Sequence, residues 1–94
     1  MGERGQIKIG KIYLYTHWRG DELKEILRNA LSRKQRCIEY LTRNIFEEMI
    51  KEDLGIEIGY GIGTTKHNDL NYPLLEVRDN EVVEYGKKNK ILNI

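Results

Sequence analysis

The chain has 94 residues, of which 39% are hydrophobic and 33% charged, and 16 basic residues nearly balance 15 acidic ones. This length suits one domain and is too short for two independent cores, so residues 1–94 are expected to form a single domain. The composition excludes a disordered chain, no apolar run reaches the roughly 20 residues of a membrane span, and a net charge of +1 is unlike the basic balance of most duplex-DNA-binding proteins.

The N-terminal segment and the cysteine content both predict a cytoplasmic protein. The segment is polar and lacks the apolar stretch of a secretory signal. Cys37 is the only cysteine, so an internal disulfide cannot form. Its neighbour Ile38 at an expected helix start favours a small buried hydrophobe. Thiol catalysis stays open as the alternative, because the basic Arg36 is able to lower a thiol pKa.

The first expected element is a β-hairpin. Residues 6–9 and 12–17 alternate polar and apolar side chains, and Gly10 and Lys11 between them suit a type II′ turn. The period of two divides the second strand into two faces. Ile12, Leu14 and Thr16 form the expected core face, and Tyr13, Tyr15 and His17 form the expected half-exposed face.

Two helices are expected next, joined as an αα-hairpin. The first begins at residues 20–22, and the second begins near Ser32, which has capping-box spacing to Gln35, and stops at Gly55. Both carry apolar stripes at helical spacing. The first stripe is Leu23, Ile26, Leu27, Ala30 and Leu31, and the second is Ile38, Leu41, Ile45 and Met49, widened by Phe46 and Ile50.

The remaining elements are expected to be strands. Residues 56–63 alternate strictly, with Ile56, Ile58, Tyr60 and Ile62 on one face and Glu57, Gly59, Gly61 and Gly63 on the other. A polar loop at 64–72 precedes a strand at 74–78, a two-residue turn at Asp79-Asn80 and a strand at 81–85. Residues 91–94 are expected either to add a last short strand or to fray.

The predicted fold class is therefore α+β. Its element order is ββ-αα-βββ, with an antiparallel sheet of four to five strands and the αα-hairpin on one face. The N-terminal hairpin and the glycine-rich strand are expected to be sheet neighbours, because the chain must return to cover the apolar stripes of the helices.

Four segments of the chain are distinctive: Met1 to Ile7 (MGERGQI), Tyr13 to Trp18 (YLYTHW), Gly59 to Thr64 (GYGIGT) and Tyr72-Pro73. They resemble segments of a group of small uncharacterised proteins from archaeal and phage-related genomes. The resemblance covers most of the chain, as far as about Arg78, and departs from the group at Arg19, where those proteins have a second small residue after the Trp. It implies a compact intracellular accessory protein and no particular activity.

The main candidate site is the sheet face of Tyr13, Tyr15 and His17, with Trp18 at its end. If Gly59, Gly61 and Gly63 lie on the same side, bare backbone adjoins aromatic rings, a surface suited to stacking a nucleotide or single-stranded nucleic acid. Two alternatives stay open. In the first, the ring of Tyr15 or Trp18 packs over the glycines and stabilises these weak strand positions. In the second, the face is buried in a homodimer.

Charged and titratable residues supply further candidates. Arg4 and Arg19 suit phosphate or carboxylate binding, with salt bridges to acidic neighbours as the alternative. His17 is a candidate acid–base, although no nucleophile with an adjacent base is visible. No metal or cofactor is expected. A set of His17, His67, Asp69 and Cys37 lacks recognised ligand spacing, and the glycines lack the following helix of a dinucleotide fingerprint.

These observations predict a small non-enzymatic binding module for a partner protein, a nucleotide or single-stranded nucleic acid. One alternative is a small enzyme acting on a phosphate-containing substrate, with His17 as acid–base. Another is a homo-oligomeric structural protein. A basic rim beside the aromatic face favours nucleic acid, a closed pocket holding His17 and an arginine favours the enzyme, and a symmetric contact favours assembly.

Overall fold

The computed structural model describes residues 3–53, 58–78, 81–84 and 90–93. Its elements are β1 (Gly5–Ile9), β2 (Ile12–Thr16), a short 3-10 turn (Gly20–Glu22), α1 (Leu23–Leu31), α2 (Ile38–Ile50), β3 (Tyr60–Gly63), β4 (Leu75–Arg78), β5 (Glu81–Glu84) and β6 (Lys90–Asn93). The expected helix stop at Gly55, the turn at Asp79-Asn80 and the strand positions Ile56, Glu57, Tyr85 and Ile94 lie outside the described residues. Neither α1 nor α2, the helices of this described part, combines the length and apolar character that crossing a membrane requires.

The strands form one six-stranded sheet in the order β3-β2-β1-β4-β5-β6. The α+β class, the element order and the pairing of the hairpin with the glycine-rich strand are confirmed. β6 is the expected last short strand, and it brings the sheet to six strands where four to five were predicted. The sheet is mixed, however, because β1 pairs parallel with β4, so the expectation of a purely antiparallel sheet was wrong at this pairing.

The parallel pairing of β1 with β4 follows from which edges of the hairpin are already paired. β2 covers one side of β1, and β3 then pairs with the outer side of β2. The next strand therefore reaches the free side of β1 through a crossover connection, which parallel pairing requires. Residues 64–74 make this crossover, and part of it passes over the sheet face that the helices leave uncovered.

One hydrophobic core lies between the helices and a single face of the sheet. Leu14 of β2 and the β1 residues Ile7 and Ile9 are almost fully buried against the helical pair. All five residues of the predicted α1 stripe are buried, as are Leu41, Ile45 and Met49 of α2. Phe46 and Ile50 are partly buried against the same core.

The start of α2 differs from the sequence prediction. Lys34 takes a left-handed conformation with φ of 56°, and its backbone N–H donates to Leu31 O at 3.0 Å, so the chain turns instead of beginning a helix near Ser32. The first turn of α2 then lies beside the tip of the hairpin, at the rim of the core. Cys37 is consequently exposed, so its predicted burial was wrong, and Ile38 is 53% exposed.

Candidate functional site: an open sheet face between two tyrosines and two glycines

Tyr13 and Tyr15 lie beside bare backbone on the sheet face opposite the helices. In the antiparallel register, Tyr13 pairs with Gly63 and Tyr15 pairs with Gly61, and directly paired residues share a face. Leu14, between the tyrosines, is buried toward the helices, so this face is the other one. A Cβ built on Gly61 or Gly63 would meet no described atom within 4 Å.

The tyrosines, the glycines and the crossover loop enclose a concavity of about 300 Å³, open on one side, which we name the tyrosine–glycine cleft. Its lining residues are Gln6, Tyr13, Tyr15, Gly61, Ile62, Gly63, Thr64, Thr65 and His67. The flat floor is backbone of β3, and the rings of β2 form a wall. Such a shape suits a planar group better than a bulky one.

Gln6 holds the loop that completes the cleft. Gln6 is 1% exposed, and both ends of its side-chain amide form hydrogen bonds. Nε2 donates to Thr65 O at 3.0 Å, and Oε1 accepts from the His67 backbone N–H at 3.0 Å. The His67 ring then stacks on Tyr15, with centroids 4.4 Å apart and planes 15° apart.

Gln6 and His67 were not predicted from the sequence to line this surface. The alternation of β1 is the one available signal for Gln6, because it places Gln6 on the face of its pairing partner Tyr15. Nothing local in the sequence brings His67 back over β2, since that contact depends on the crossover.

Tyr15 and His17 are linked at the end of β2. The Tyr15 hydroxyl lies 3.2 Å from His17 Nδ1. Partial burial raises the pKa of Tyr15, and the negative charge of Asp69 adds to that effect. The His17 backbone N–H donates to Gly59 O at 2.7 Å, which continues the β2–β3 pairing. The His17 side chain does not line the cleft.

Trp18 packs over Gly59 and away from the cleft. Gly59 has a φ of +93°, and a Cβ there would lie 1.8 Å from the Trp18 ring. The ring also meets Tyr60 edge-on at 5.8 Å between centroids. The Tyr60 hydroxyl donates to the Asp53 carboxylate, and burial together with Asp53 raises the Tyr60 pKa to about 12. Within the part of the chain that the structure describes, an aromatic ring therefore packs over Gly59 and none packs over Gly61 or Gly63.

The two candidate arginines make contacts within the fold. Arg19 donates through Nη1 to Glu48 O and Met49 O, at 3.0 and 2.9 Å, and through Nε and Nη2 to the Glu22 carboxylate. Arg4 donates through Nε to Asp69 O at 2.9 Å, which anchors the crossover loop. Neither arginine lines the cleft.

Lysines provide the positive charge near the cleft. Lys8 Nζ lies 6.0 Å from the centroid of the Tyr13 ring and 3.4 Å from the Glu76 carboxylate. Lys66 is exposed in the loop, between the lining residues Thr65 and His67. Among the described residues, no group of three or more His, Cys, Asp or Glu is placed to hold a metal ion.

The fold and the cleft define a class of protein: a small α+β protein with a ring-lined, partly open sheet face. No family model, no curated protein and no solved structure matches the chain. The proposal of a function therefore rests on the chemistry of the cleft.

Proposed function

We propose that this protein is a small binding module that holds a planar aromatic group, the nucleobase of a nucleotide or of single-stranded nucleic acid, in the tyrosine–glycine cleft. The observation that carries the proposal is the space above Gly61 and Gly63, which no described residue fills and which lies directly beside the Tyr15 and Tyr13 rings. Glycine weakens a strand unless something packs close to its backbone. A ligand ring seated on this strip against the tyrosine rings would supply that missing packing.

Stacking is the interaction that the cleft offers. The Tyr15–His67 pair shows that the geometry of the face accommodates parallel rings. Stacking of a base on an aromatic side chain contributes roughly 1–3 kcal/mol and tolerates any base, because every base has a π-face. A volume of about 300 Å³ is at the lower end of small-ligand sites, which fits one or two rings.

The charges around the cleft favour weak, sequence-tolerant binding. Lys66, exposed in the loop, and Lys8, beside Tyr13, would supply positive charge for the phosphates of a strand that crosses the face. Glu76 partly neutralises Lys8, and the net charge of the chain is only +1. Since the salt dependence of binding follows the number of phosphates neutralised, we expect a shallow dependence.

The enzyme alternative has less support from the geometry. It needs a pocket that holds His17 with an arginine, whereas the cleft lining contains neither His17 nor Arg19. Arg19 is engaged by α2 and Glu22. A partner protein in the same cleft would have to present a planar or flat side chain, so it becomes an outcome of the binding test.

The test is fluorescence anisotropy with labelled single-stranded oligothymidine and oligouridine, comparing wild type with Gly61→Val. Valine suits a strand and meets open space at this position, so the fold is retained while the floor of the cleft is filled. Ile62→Val is the matched control, because it changes the same strand on the opposite face. Loss of one stacked base lowers affinity by about tenfold, and Ile62→Val leaves it unchanged.

Two results would overturn the proposal. One is the absence of binding by the wild type to either oligonucleotide and to a free nucleoside monophosphate. The other is binding that Gly61→Val leaves intact while circular dichroism shows a native fold. A Tyr13→Leu variant provides an independent check, because it removes a ring and leaves the floor bare.

A further inference from the structure

The outer edge of β3 presents backbone hydrogen-bonding groups that no described strand pairs with. β3 pairs only with β2 in the described part of the chain. The hydrogen bond from His17 N–H to Gly59 O shows that the backbone groups of Gly59 point toward β2. Because this direction alternates along an antiparallel strand, the N–H and C=O groups of Gly61 also point toward β2. The N–H and C=O groups of Tyr60 and Ile62 therefore point outward, away from β2.

Apart from the shortness of β3, the described part of this edge lacks the features that usually protect a sheet edge. Native proteins block edges with lysine, proline, bulges or inward-pointing charges. Residues 58–65 contain no charged residue and no proline. Gly61 and Gly63 offer no side chain to obstruct an approaching strand, and Ile58 and Ile62 are 72% and 61% exposed.

We propose that β3 pairs with β3 of a second copy, antiparallel, about a twofold axis that passes beside Gly61. In this register Tyr60 of each copy is opposite Ile62 of the other. Both residues have outward-pointing groups, so each such pair forms two hydrogen bonds and the contact forms four. The glycines at position 61 face each other across the axis as a non-hydrogen-bonded pair.

A second copy fits this edge because the edge is complementary to itself. Each outward donor meets an acceptor in the symmetric register, and the contact places no charge opposite another. On the helix side of the sheet, Ile62 of one copy lies beside the Tyr60 ring of the other, which covers an otherwise exposed isoleucine. The strand is short and the interface small, so the dimer dissociates on dilution.

The dimer also brings the two tyrosine–glycine clefts together. The bare backbone of Gly61 in both copies adjoins the axis, so the clefts open on one continuous sheet face with a ring-bearing β2 strand on each side. The dimer needs no ligand, and its test is independent of the nucleobase proposal.

The first experiment is disulfide trapping in a Cys37→Ser background, which removes the exposed native thiol. Gly61→Cys forms an intermolecular disulfide under mild oxidation, because non-hydrogen-bonded antiparallel pairs bring Cβ atoms near the separation that a disulfide needs. Gly63→Cys is the matched control. It occupies the same open face but is opposite position 59 of the second copy, so it remains unlinked.

The second experiment measures mass by sedimentation equilibrium over a concentration series, with a protomer of 11.1 kDa. Wild type approaches twice this mass at high concentration, while Ile62→Lys and Ile62→Glu each remain at the protomer mass. Their equimolar mixture recovers dimer, because diagonal neighbours across the strands are within reach of long side chains. Ile38→Lys, which charges an exposed isoleucine on α2, dimerises like the wild type.

The proposal is overturned if the wild type stays at the protomer mass at every concentration, or if Ile62→Lys dimerises as well as the wild type. Equal trapping of Gly61→Cys and Gly63→Cys would also overturn it, since random collisions would then explain the disulfide. Trapping confined to Gly61→Cys, together with recovery in the mixed lysine and glutamate variants, supports the symmetric register.

Discussion

Three glycines at alternate positions of one segment have different physical roles. Gly59 has a φ of +93° and adjoins the Trp18 ring, so the backbone conformation and the space both require a residue without Cβ. Gly61 and Gly63 have neither constraint in the described surroundings. The described residues therefore give no reason for the absence of side chains at these two positions, and the proposed occupant of the cleft would supply one.

Substitution by alanine is expected to separate these roles. Gly59→Ala lowers the free energy of unfolding by about 2 kcal/mol or more, because it combines a left-handed conformation with a clash against Trp18. Gly61→Ala leaves stability unchanged or raises it by up to about 1 kcal/mol, since it loses less conformational entropy on folding. Urea unfolding followed by far-UV circular dichroism measures both changes. Equal effects of the two substitutions would contradict this account.

Much of the candidate site could be predicted at the residue scale, because side chains alternate in a strand. That period alone places Tyr13 and Tyr15 on one face and Leu14 on the other. It does not reveal which glycine has a positive φ or which ring packs over it. Those features depend on the direction that the chain takes after β2 ends. Trp18 follows that end and packs against Tyr60 of β3.

At the scale of elements, Arg19 connects the end of β2 to the end of α2. The last carbonyl groups of a helix have no partner within the helix. Arg19 donates to two of them, at Glu48 and Met49, and is held in place by Glu22. The positive charge also complements the negative end of the helix dipole. The planar guanidinium allows one side chain to make all these contacts.

Removal of the guanidinium is expected to destabilise the protein. Arg19→Met keeps much of the length of the side chain and loses every donor, so the free energy of unfolding falls by about 1–3 kcal/mol. Arg19→Lys recovers part of this loss, because it keeps the charge near the helix end without the fork. Chemical denaturation of the three proteins gives the order. If Arg19→Met were as stable as the wild type, these hydrogen bonds would make no net contribution to the free energy of unfolding.

Helix α1 was predictable and the start of α2 was not, for a physical reason. The five apolar residues of α1 are local in the sequence, and burial of one continuous stripe determines where that helix lies. The start of α2 depends instead on the left-handed turn at Lys34 and on ion pairs from Arg33 to Glu47 and Glu48. The predicted cap at Ser32 does not form, because the Ser32 hydroxyl donates to Asn29 O at the end of α1 and Gln35 Oε1 accepts from the Cys37 backbone N–H.

At the scale of the whole molecule, the candidate site depends on the one parallel pairing in the described sheet. β4 reaches β1 only by the crossover of residues 64–74, and this crossover supplies the Thr65 and His67 side of the cleft. Local sequence patterns determine whether a segment forms a helix or a strand. The order of the strands in the sheet depends instead on how the complete core is buried. The position of the cleft was therefore predictable from β2 and β3, and its second wall was not.

The same topology makes β1 the strand that joins the β2–β3 part of the sheet to the β4–β6 part. It is central, pairing with β2 and β4, and its Ile7 is completely buried in the single core. Ile7→Ala is expected to cost about 2–5 kcal/mol, whereas Ile38→Ala, at a site 53% exposed, changes stability by less than about 1 kcal/mol. Because the helices and strands share that core, Ile7→Ala shifts the whole unfolding transition.

Two probes test whether the molecule responds as one unit. Trp18 fluorescence reports the contact between the end of β2 and Gly59, and far-UV circular dichroism reports helices that lie on the other side of the core. For wild type and Ile7→Ala, the two urea transitions are expected to coincide and to shift together. An earlier fluorescence transition in either protein would mean that the β2–β3 edge opens independently of the core. The floor of the tyrosine–glycine cleft would then be one of the first parts of the molecule to be lost.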